Sequence, residues 1–157
     1  MNPLIGVASF FCLALNMIFW SSLLFLIGLI RLAVPSKNWK KLWTSVTIFI
    51  GETCISFNNA WIKILLRPSI SITGMENLKK EHWYIATSNH QSWGDIFILQ
   101  KITNRKVPLL RFFMKDVLKW IPIVSIVGWA LDMPFLKRYT KKQLEKNPKL
   151  AGKDVRE

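Results

Sequence analysis

The sequence predicts an α/β domain that follows a membrane anchor, and three observations support this fold class. The segment Met1–Ile30 has no charged side chain, which is typical of a helix in a lipid bilayer. The next segment, up to Leu66, has apolar residues at helical spacing. From Ser69 the apolar spacing changes to two, and short strand-like runs then alternate with helix-like runs, as in α/β proteins.

The composition favours a membrane protein with a basic part exposed to water. The chain of 157 residues is long enough for one domain, 51% of its residues are hydrophobic, and its formal net charge is +13. Nucleic acid is another partner that such a charge suggests, but the apolar start and the lack of a known nucleic-acid motif argue against it. Cys12 and Cys54 lie in separate apolar segments without metal-ligand spacing, so we predict neither a disulfide framework nor a metal site.

Residues 1–34 are predicted to form a transmembrane helix. The charge-free run extends over about 45 Å as a helix, whereas the hydrocarbon core of a bilayer is about 30 Å thick. A signal peptide is disfavoured because the start is not basic and the apolar run is too long. Asn16 is tolerated if it faces a neighbouring helix. Basic residues begin at Arg31, so the positive-inside rule places the rest of the chain on the cytoplasmic face of the inner (plasma) membrane.

Residues 35–68 are predicted to form an amphipathic helix that lies in the membrane interface or packs on the first helix. An ordinary core-facing helix is the alternative. A second crossing is disfavoured by Glu52 and Asn58-Asn59, and it would place His90 on the opposite side of the membrane. The apolar side comprises Leu42, Val46, Phe49, Phe57, Trp61 and Leu65, and the polar side comprises Ser45, Glu52, Ser56, Asn59 and Lys63.

Residues 69–157 are predicted to be the N-terminal part of an α/β domain. The period-two runs predict strands, and the longer runs between them predict helices. The predicted strands are Ser69–Thr73, Trp83–Thr87, Pro108–Phe113 and Met133–Leu136, and the predicted helices are Ser92–Lys101, Lys115–Lys119, Val124–Leu131 and Thr140–Lys146.

The stretch from Asn89 to Asp95 is the candidate site. His90 lies where a predicted strand gives way to a helix, the edge at which α/β proteins place reactive groups, and Asp95 follows five positions later. If the histidine lies in the loop and the aspartate in the first helical turn, the carboxylate can hold one imidazole nitrogen while the other takes a proton. Ser92-x-x-Asp95 also fits a capping box, which would make Asp95 only a cap residue. Both interpretations are open from the residues alone.

The spacing His90-x-x-x-x-Asp95 after a strand resembles the first motif of the glycerolipid acyltransferases, the 1-acylglycerol-3-phosphate O-acyltransferase superfamily. Phe135-Leu136-Lys137-Arg138 is similar to the family's Phe-Ile-Asp-Arg block. Leu118–Ile123, followed by Gly128-Trp129, resembles its Pro-containing intermediate segment. With the N-terminal membrane segment, the likeness is greatest to bacterial inner-membrane acyltransferases of the YihG type.

The resemblance implies an incomplete acyltransferase-like α/β domain in which His90 and Asp95 are catalytic. The histidine would deprotonate the hydroxyl of a lysophospholipid, so no covalent acyl-enzyme is expected. The implied acyl donor is acyl-CoA or acyl carrier protein, and no further cofactor is implied. Asn89, Ser92 and Trp93 flank the base and are predicted to contact the substrate.

The same resemblance assigns the acceptor's phosphate to Arg138, whose planar guanidinium matches phosphate oxygens. Lys137 stands where the family usually has Asp and is predicted to add positive charge to this site. Asp132 stands where the family often has Gly. The basic residues expected to meet anionic lipid headgroups are Arg105, Lys106, Arg111, Lys115 and Lys119.

The family's third motif, Phe-Pro-Glu-Gly-Thr/Ser-Arg, does not occur before Glu157, so we expect a C-terminally truncated member with weak or no activity. Two functions follow from this expectation. The first is acyl transfer to 1-acylglycerol-3-phosphate, and the second is binding to anionic membranes without catalysis.

Overall fold

The computed structural model describes residues 3–137, 139 and 141–148. The chain divides into two compact units, Met1–Leu110 and Arg111–Glu157. The elements in chain order are helices α1 (Pro3–Ala33) and α2 (Lys37–Trp61), a π-helical turn (Ile62–Leu66), helix α3 (Trp93–Thr103), strand β1 (Met114–Lys115), a 3₁₀-helix (Asp116–Trp120), helix α4 (Pro122–Ala130), strand β2 (Phe135–Leu136) and helix α5 (Lys141–Lys146).

Helix α1 is long and apolar enough to cross a membrane, judged by its 31 residues and its hydropathy. It is the one helix within residues 3–137, 139 and 141–148 that meets both criteria. Most of its large apolar side chains, such as Phe10, Leu15 and Phe19, are exposed. An exposed apolar surface of this kind is typical of an element that contacts lipid.

Helix α2 runs antiparallel beside α1, and the two form a helical hairpin. Near the connection, the Trp39 indole N–H donates to the Ile30 carbonyl at 2.9 Å. Farther along, Asn16 Nδ2 donates to Asn58 Oδ1 at 2.7 Å and to the Cys54 carbonyl at 3.3 Å. Asn16 therefore faces a neighbouring helix, as expected. Of the two placements expected for the second helix, the structure shows packing on the first.

The hairpin buries several polar side chains and turns large apolar ones outward. Thr47, Glu52 and Asn58 are buried in it, whereas Leu42 and Phe49 are exposed. Glu52 belongs to the polar side predicted for this helix, yet its residue surface is only 5% exposed, because Lys80 and the chain that leaves α3 contact it. For two helices in an apolar environment such as lipid, burial of apolar groups does not decide which sides of the helices face each other. Hydrogen bonds and close packing decide it instead.

The described residues contain far less sheet than the sequence predicts, so the α/β class is not confirmed. The predicted strands Ser69–Thr73, Trp83–Thr87 and Pro108–Phe113 have no regular secondary structure. Trp83 and Ile85 are 92% and 96% exposed. An alternating pattern forms a strand only if a neighbouring strand accepts and donates its backbone hydrogen bonds; otherwise water satisfies them equally well.

The second unit is organised around the parallel pair of β1 and β2. Met114 lies opposite Phe135 in this pair. Helix α4 packs so closely on the pair that a Cβ atom at Gly128 would come within 2.5 Å of Met114 Cε and 2.6 Å of Phe135 Cζ. No real Cβ contact is that short, so this position requires glycine unless its neighbours move.

Helix α4 ends in a Schellman motif. Asp132 has a left-handed backbone with φ of 53°. The Met133 N–H donates to the Gly128 carbonyl at 2.8 Å, and the Asp132 N–H donates to the Trp129 carbonyl at 3.3 Å. Glycine adopts this left-handed conformation without steric cost.

The helices predicted in the second half of the chain are present. Helices α3, α4 and α5 overlap the predicted segments Ser92–Lys101, Val124–Leu131 and Thr140–Lys146. The predicted helix Lys115–Lys119 is a 3₁₀-helix, Asp116–Trp120, which ends before Pro122 as expected.

Candidate active site

His90 and Asp95 lie together at the N-terminal end of α3. His90 Nδ1 is 3.5 Å from Asp95 Oδ2, and the two side chains are 58% and 36% exposed. The histidine belongs to the irregular stretch before the helix and the aspartate to its first turn, which is the arrangement that the sequence suggested. The distance is long for a hydrogen bond, but contacts between catalytic groups often shorten only when substrate binds.

The backbone at the start of α3 holds the Asp95 carboxylate in place. Oδ2 accepts the Gln91 N–H at 2.6 Å and the Ser92 N–H at 2.7 Å. Ser92 is the N-cap residue, and the bond to its N–H is half of the predicted capping box. The two interpretations of Asp95 are therefore compatible, because the oxygen that caps the helix also faces the imidazole. A carboxylate fixed in this way is pre-organised to orient the ring.

The electrostatics of this pair favour an ionised aspartate. The pKa of Asp95 is lowered chiefly by the hydrogen bonds from the Ser92 and Gln91 backbone amides. Partial desolvation opposes this, while the proximity of His90 and the Ser92 hydroxyl lower the pKa further. A negative charge at neutral pH therefore faces Nδ1 of His90 and favours a proton on that nitrogen. Nε2 is then the nitrogen that can accept a proton from a substrate.

The other residues assigned to substrate binding in this stretch adjoin the pair. Asn89 is exposed immediately before His90, and Trp93 is the first residue of α3 and is also exposed. Ser92 Oγ lies 3.5 Å from Asp95 Oδ1. Their substrate contacts stay predictions. In the described ranges, no three or more His, Cys, Asp or Glu side chains are grouped so that they could hold a metal ion.

The residues assigned to the acceptor's phosphate belong to the second unit. Lys137 is exposed directly after β2. The pKa of Asp116 is lowered mainly by a hydrogen bond from Lys119, and the charge of Lys137 contributes to the same effect. Arg138 lies outside the described residues, so its contact with phosphate stays a prediction.

Sequence reasoning missed a contact network around Glu52. Lys80 Nζ lies 2.8 Å from Glu52 Oε1, and Arg105 donates to Thr53 Oγ1 at 3.1 Å. Arg105 had been expected to meet lipid headgroups, but its guanidinium contacts α2. A signal was present, because Glu52 is the only acidic residue before Glu76 and stands in a largely apolar segment. An isolated charge in such a segment usually has a partner.

A histidine 3.5 Å from an ionised, backbone-anchored carboxylate is an arrangement that acid–base group transfer can use. Residues 69–154 match the family model described as Acyltransferase, and this range covers more than half of the chain. The chain therefore belongs to the acyltransferase family, and His90 and Asp95 lie within the matched range. No curated protein and no solved structure matches the chain.

Proposed function

We propose that the protein transfers an acyl chain from acyl-CoA or acyl carrier protein to the free hydroxyl of 1-acylglycerol-3-phosphate at a membrane surface. The observation that supports this most strongly is the 3.5 Å approach of His90 Nδ1 to Asp95 Oδ2 inside the acyltransferase-family segment. The lysophosphatidate acceptor, the donor and the likeness to the YihG type rest on the sequence motifs alone.

In the proposed reaction, His90 Nε2 takes the proton of the acceptor hydroxyl as its oxygen attacks the thioester carbonyl. The tetrahedral intermediate then collapses, the carbon–sulfur bond breaks, and the new ester bond remains. The thiolate leaves and takes the proton from the imidazolium, which restores the neutral base. Asp95 stabilises the imidazolium through its charge, and general-base catalysis of this kind contributes about 10² to 10⁴-fold.

The membrane hairpin fits this substrate. A lysophospholipid resides in the bilayer, and the apolar outer surface of α1 and α2 would hold the first unit at that bilayer. Lys137 and Arg138 would bind the acceptor's phosphate through charge-assisted hydrogen bonds. By the positive-inside rule, we place the site on the cytoplasmic face of the inner membrane, which requires that α2 returns along α1 without crossing the bilayer a second time.

A second function remains, which is binding to anionic membranes without acyl transfer. The excess of basic residues and the exposed apolar hairpin both favour membrane binding in the absence of chemistry. In that case Lys137 and Arg138 would contribute only positive charge.

The experiment that separates the two functions uses both histidines of the chain. We expect the full chain, reconstituted in vesicles with 1-acylglycerol-3-phosphate and acyl-CoA, to release free thiol. His90→Ala should lower the rate by about 10² to 10⁴-fold. His82→Ala is the matched control, since His82 is exposed in the same irregular stretch and contacts the Tyr84 ring. If the unmodified chain transfers nothing to several acceptors and still binds anionic vesicles, the second function is supported.

A further inference from the structure

One face of α2 binds the chain that leaves α3. Asn104 Nδ2 donates to the Glu52 carbonyl at 3.2 Å and to Ser56 Oγ at 2.9 Å. Arg105 Nη2 donates to Thr53 Oγ1 at 3.1 Å, and Arg105 Nε lies 3.9 Å from Glu52 Oε2. Glu52 and Thr53 lie four and three positions before Ser56, so the contacted residues share one side of the helix.

The Glu52 carboxylate is also bound by a residue that precedes the candidate active site in the chain. Lys80 Nζ lies 2.8 Å from Glu52 Oε1 and donates to Oε2 at 3.1 Å. The Glu52 side chain is only 6% exposed, whereas those of Lys80 and Arg105 are about half exposed. We call Glu52, Lys80, Asn104 and Arg105 the Glu52 clamp.

The clamp closes a loop around the candidate active site. Lys80 lies ten residues before His90, and Arg105 lies ten residues after Asp95. Both ends of this stretch are therefore tied to one side of α2. The first end is bound by the Glu52 carboxylate through Lys80. The second end is bound by the Glu52 carbonyl, Ser56 and Thr53, with Arg105 Nε 3.9 Å from the same carboxylate. Because the stretch before α3 has no regular secondary structure, its ends are where the fold can fix its position.

The burial of Glu52 supports the same interpretation. A buried carboxylate is costly unless cations and donors surround it, so the fold needs the partners of Glu52. The Arg105 guanidinium also stacks on α2, 5.8 Å from the centre of the Phe49 ring. The left-handed φ of Arg105, 61°, belongs to the turn at the end of α3, in which the Lys106 N–H donates to the Thr103 carbonyl at 3.0 Å.

We propose that Glu52 is a positioning residue that fixes the height and orientation of the His90–Asp95 pair relative to the membrane hairpin. The proposal rests on the acyltransferase function proposed above. Glu52 itself does not contact the reacting atoms. It acts through the 80–105 stretch, and it matters because the acceptor hydroxyl of a bilayer lipid is available only over a narrow range of depths.

The test compares two acceptors with the full chain in phosphatidylethanolamine–phosphatidylglycerol vesicles. One acceptor is 1-oleoyl-glycerol-3-phosphate in the bilayer, and the other is 1-hexanoyl-glycerol-3-phosphate as a water-soluble monomer. We expect Glu52→Gln to lower turnover of the bilayer acceptor by about 10²-fold, the effect of roughly 1 Å of misplacement. Turnover of the soluble acceptor should change little, because it can reach the base in any position. Glu52→Asp should restore part of the loss.

Glu81→Gln is the matched control, since Glu81 is an exposed acid in the same stretch. If Glu52→Gln does not fold, Arg105→Gln is the substitute, because Arg105 is a partly exposed member of the clamp. It should likewise lower turnover of the bilayer acceptor and leave turnover of the soluble acceptor nearly unchanged. Equal loss with both acceptors would indicate a general loss of stability and would overturn the proposal. An unchanged rate with the bilayer acceptor would overturn it as well.

A measurement independent of activity distinguishes failure of this proposal from failure of the proposed function. Amide hydrogen exchange should increase in residues 80–105 of Glu52→Gln while α1 stays protected. If the unmodified chain transfers no acyl group to either acceptor, the proposed function fails. The exchange result alone then decides whether Glu52 positions the 80–105 stretch. Increased exchange confined to 80–105 then supports it, and unchanged exchange contradicts it.

Discussion

Replacement of Asp95 by asparagine separates the two roles that its carboxylate has at the start of α3. An asparagine Oδ1 can still accept the two backbone N–H groups that now lie 2.6 Å and 2.7 Å from Asp95 Oδ2. The helix start therefore stays capped. What is lost is the negative charge 3.5 Å from His90 Nδ1, and with it the preference for a proton on that nitrogen.

The expected magnitude follows from this geometry. In metal sites, removal of a carboxylate that orients a functional imidazole lowers metal affinity or activity by about 10- to 100-fold. Because both side chains are partly exposed, water screens their interaction, and we expect a fall in kcat towards the lower end of that range. KM for the acceptor should change little, since Asp95 acts on the base and not on the bound lipid. Asp95→Ala should lower kcat further, because it removes the cap as well.

The assay is the initial rate of thiol release from acyl-CoA in vesicles, with helix content measured by circular dichroism on the same samples. Asp116→Asn is the matched control, because Asp116 is another half-buried aspartate at the start of a helical turn and has a lowered pKa. Full turnover by Asp95→Asn, together with loss of both turnover and helix in Asp95→Ala, would show that Asp95 only caps α3. The mechanism proposed for His90 would then lack its orienting group.

Three further predictions concern stability. Asn58→Ala should destabilise the hairpin by about 1 to 2 kcal/mol, because Asn16 loses the acceptor of its 2.7 Å hydrogen bond in an apolar setting. Denaturation in detergent should show this loss of stability. The control is Asn59→Ala, at a half-buried neighbouring position, which should be nearly neutral. Gly128→Ala should cost the second unit about 1 to 3 kcal/mol, because the new Cβ would meet three side-chain atoms within 2.7 Å, and thermal unfolding should register the loss. The pKa of Asp95 is lowered in the folded chain, so its contribution to the α3 start is fully present above about pH 3.9 and is lost as the pH falls through the lower folded value. The protection of the Ser92 amide, which is its exchange rate relative to that of an unfolded peptide at the same pH, should decrease there and stay constant near neutral pH.

The candidate site was largely predictable because it is local in sequence. His90 and Asp95 are five positions apart, and the loop-to-helix junction that brings them together is encoded by Ser92 and by the apolar run after it. A helix start needs side-chain acceptors for its free N–H groups, and these residues supply them whatever the rest of the chain does. From the sequence, capping of α3 and orientation of His90 were alternative roles for Asp95. The geometry allows one carboxylate oxygen to have both roles.

The strands were poorly predictable because a strand is not a local structure. The alternation in Trp83–Thr87 shows that the segment is compatible with a sheet, but a second strand must lie beside it to hold it. The parallel pair of β1 and β2 forms where α4 packs on it, and that contact depends on Gly128, which lies far from β1 in sequence.

The sequence by itself determined the long apolar helix, the helical segments, the basic charge and the junction that joins His90 to Asp95, since all of these depend on neighbouring residues or on composition. Only the tertiary structure decided which face of α2 is buried and which cations Glu52 binds. The reason is that burial of a charge depends on partners supplied from distant parts of the chain. Lys80 and Arg105 stand 28 and 53 residues away from Glu52, and no periodicity within α2 indicates that they come together there.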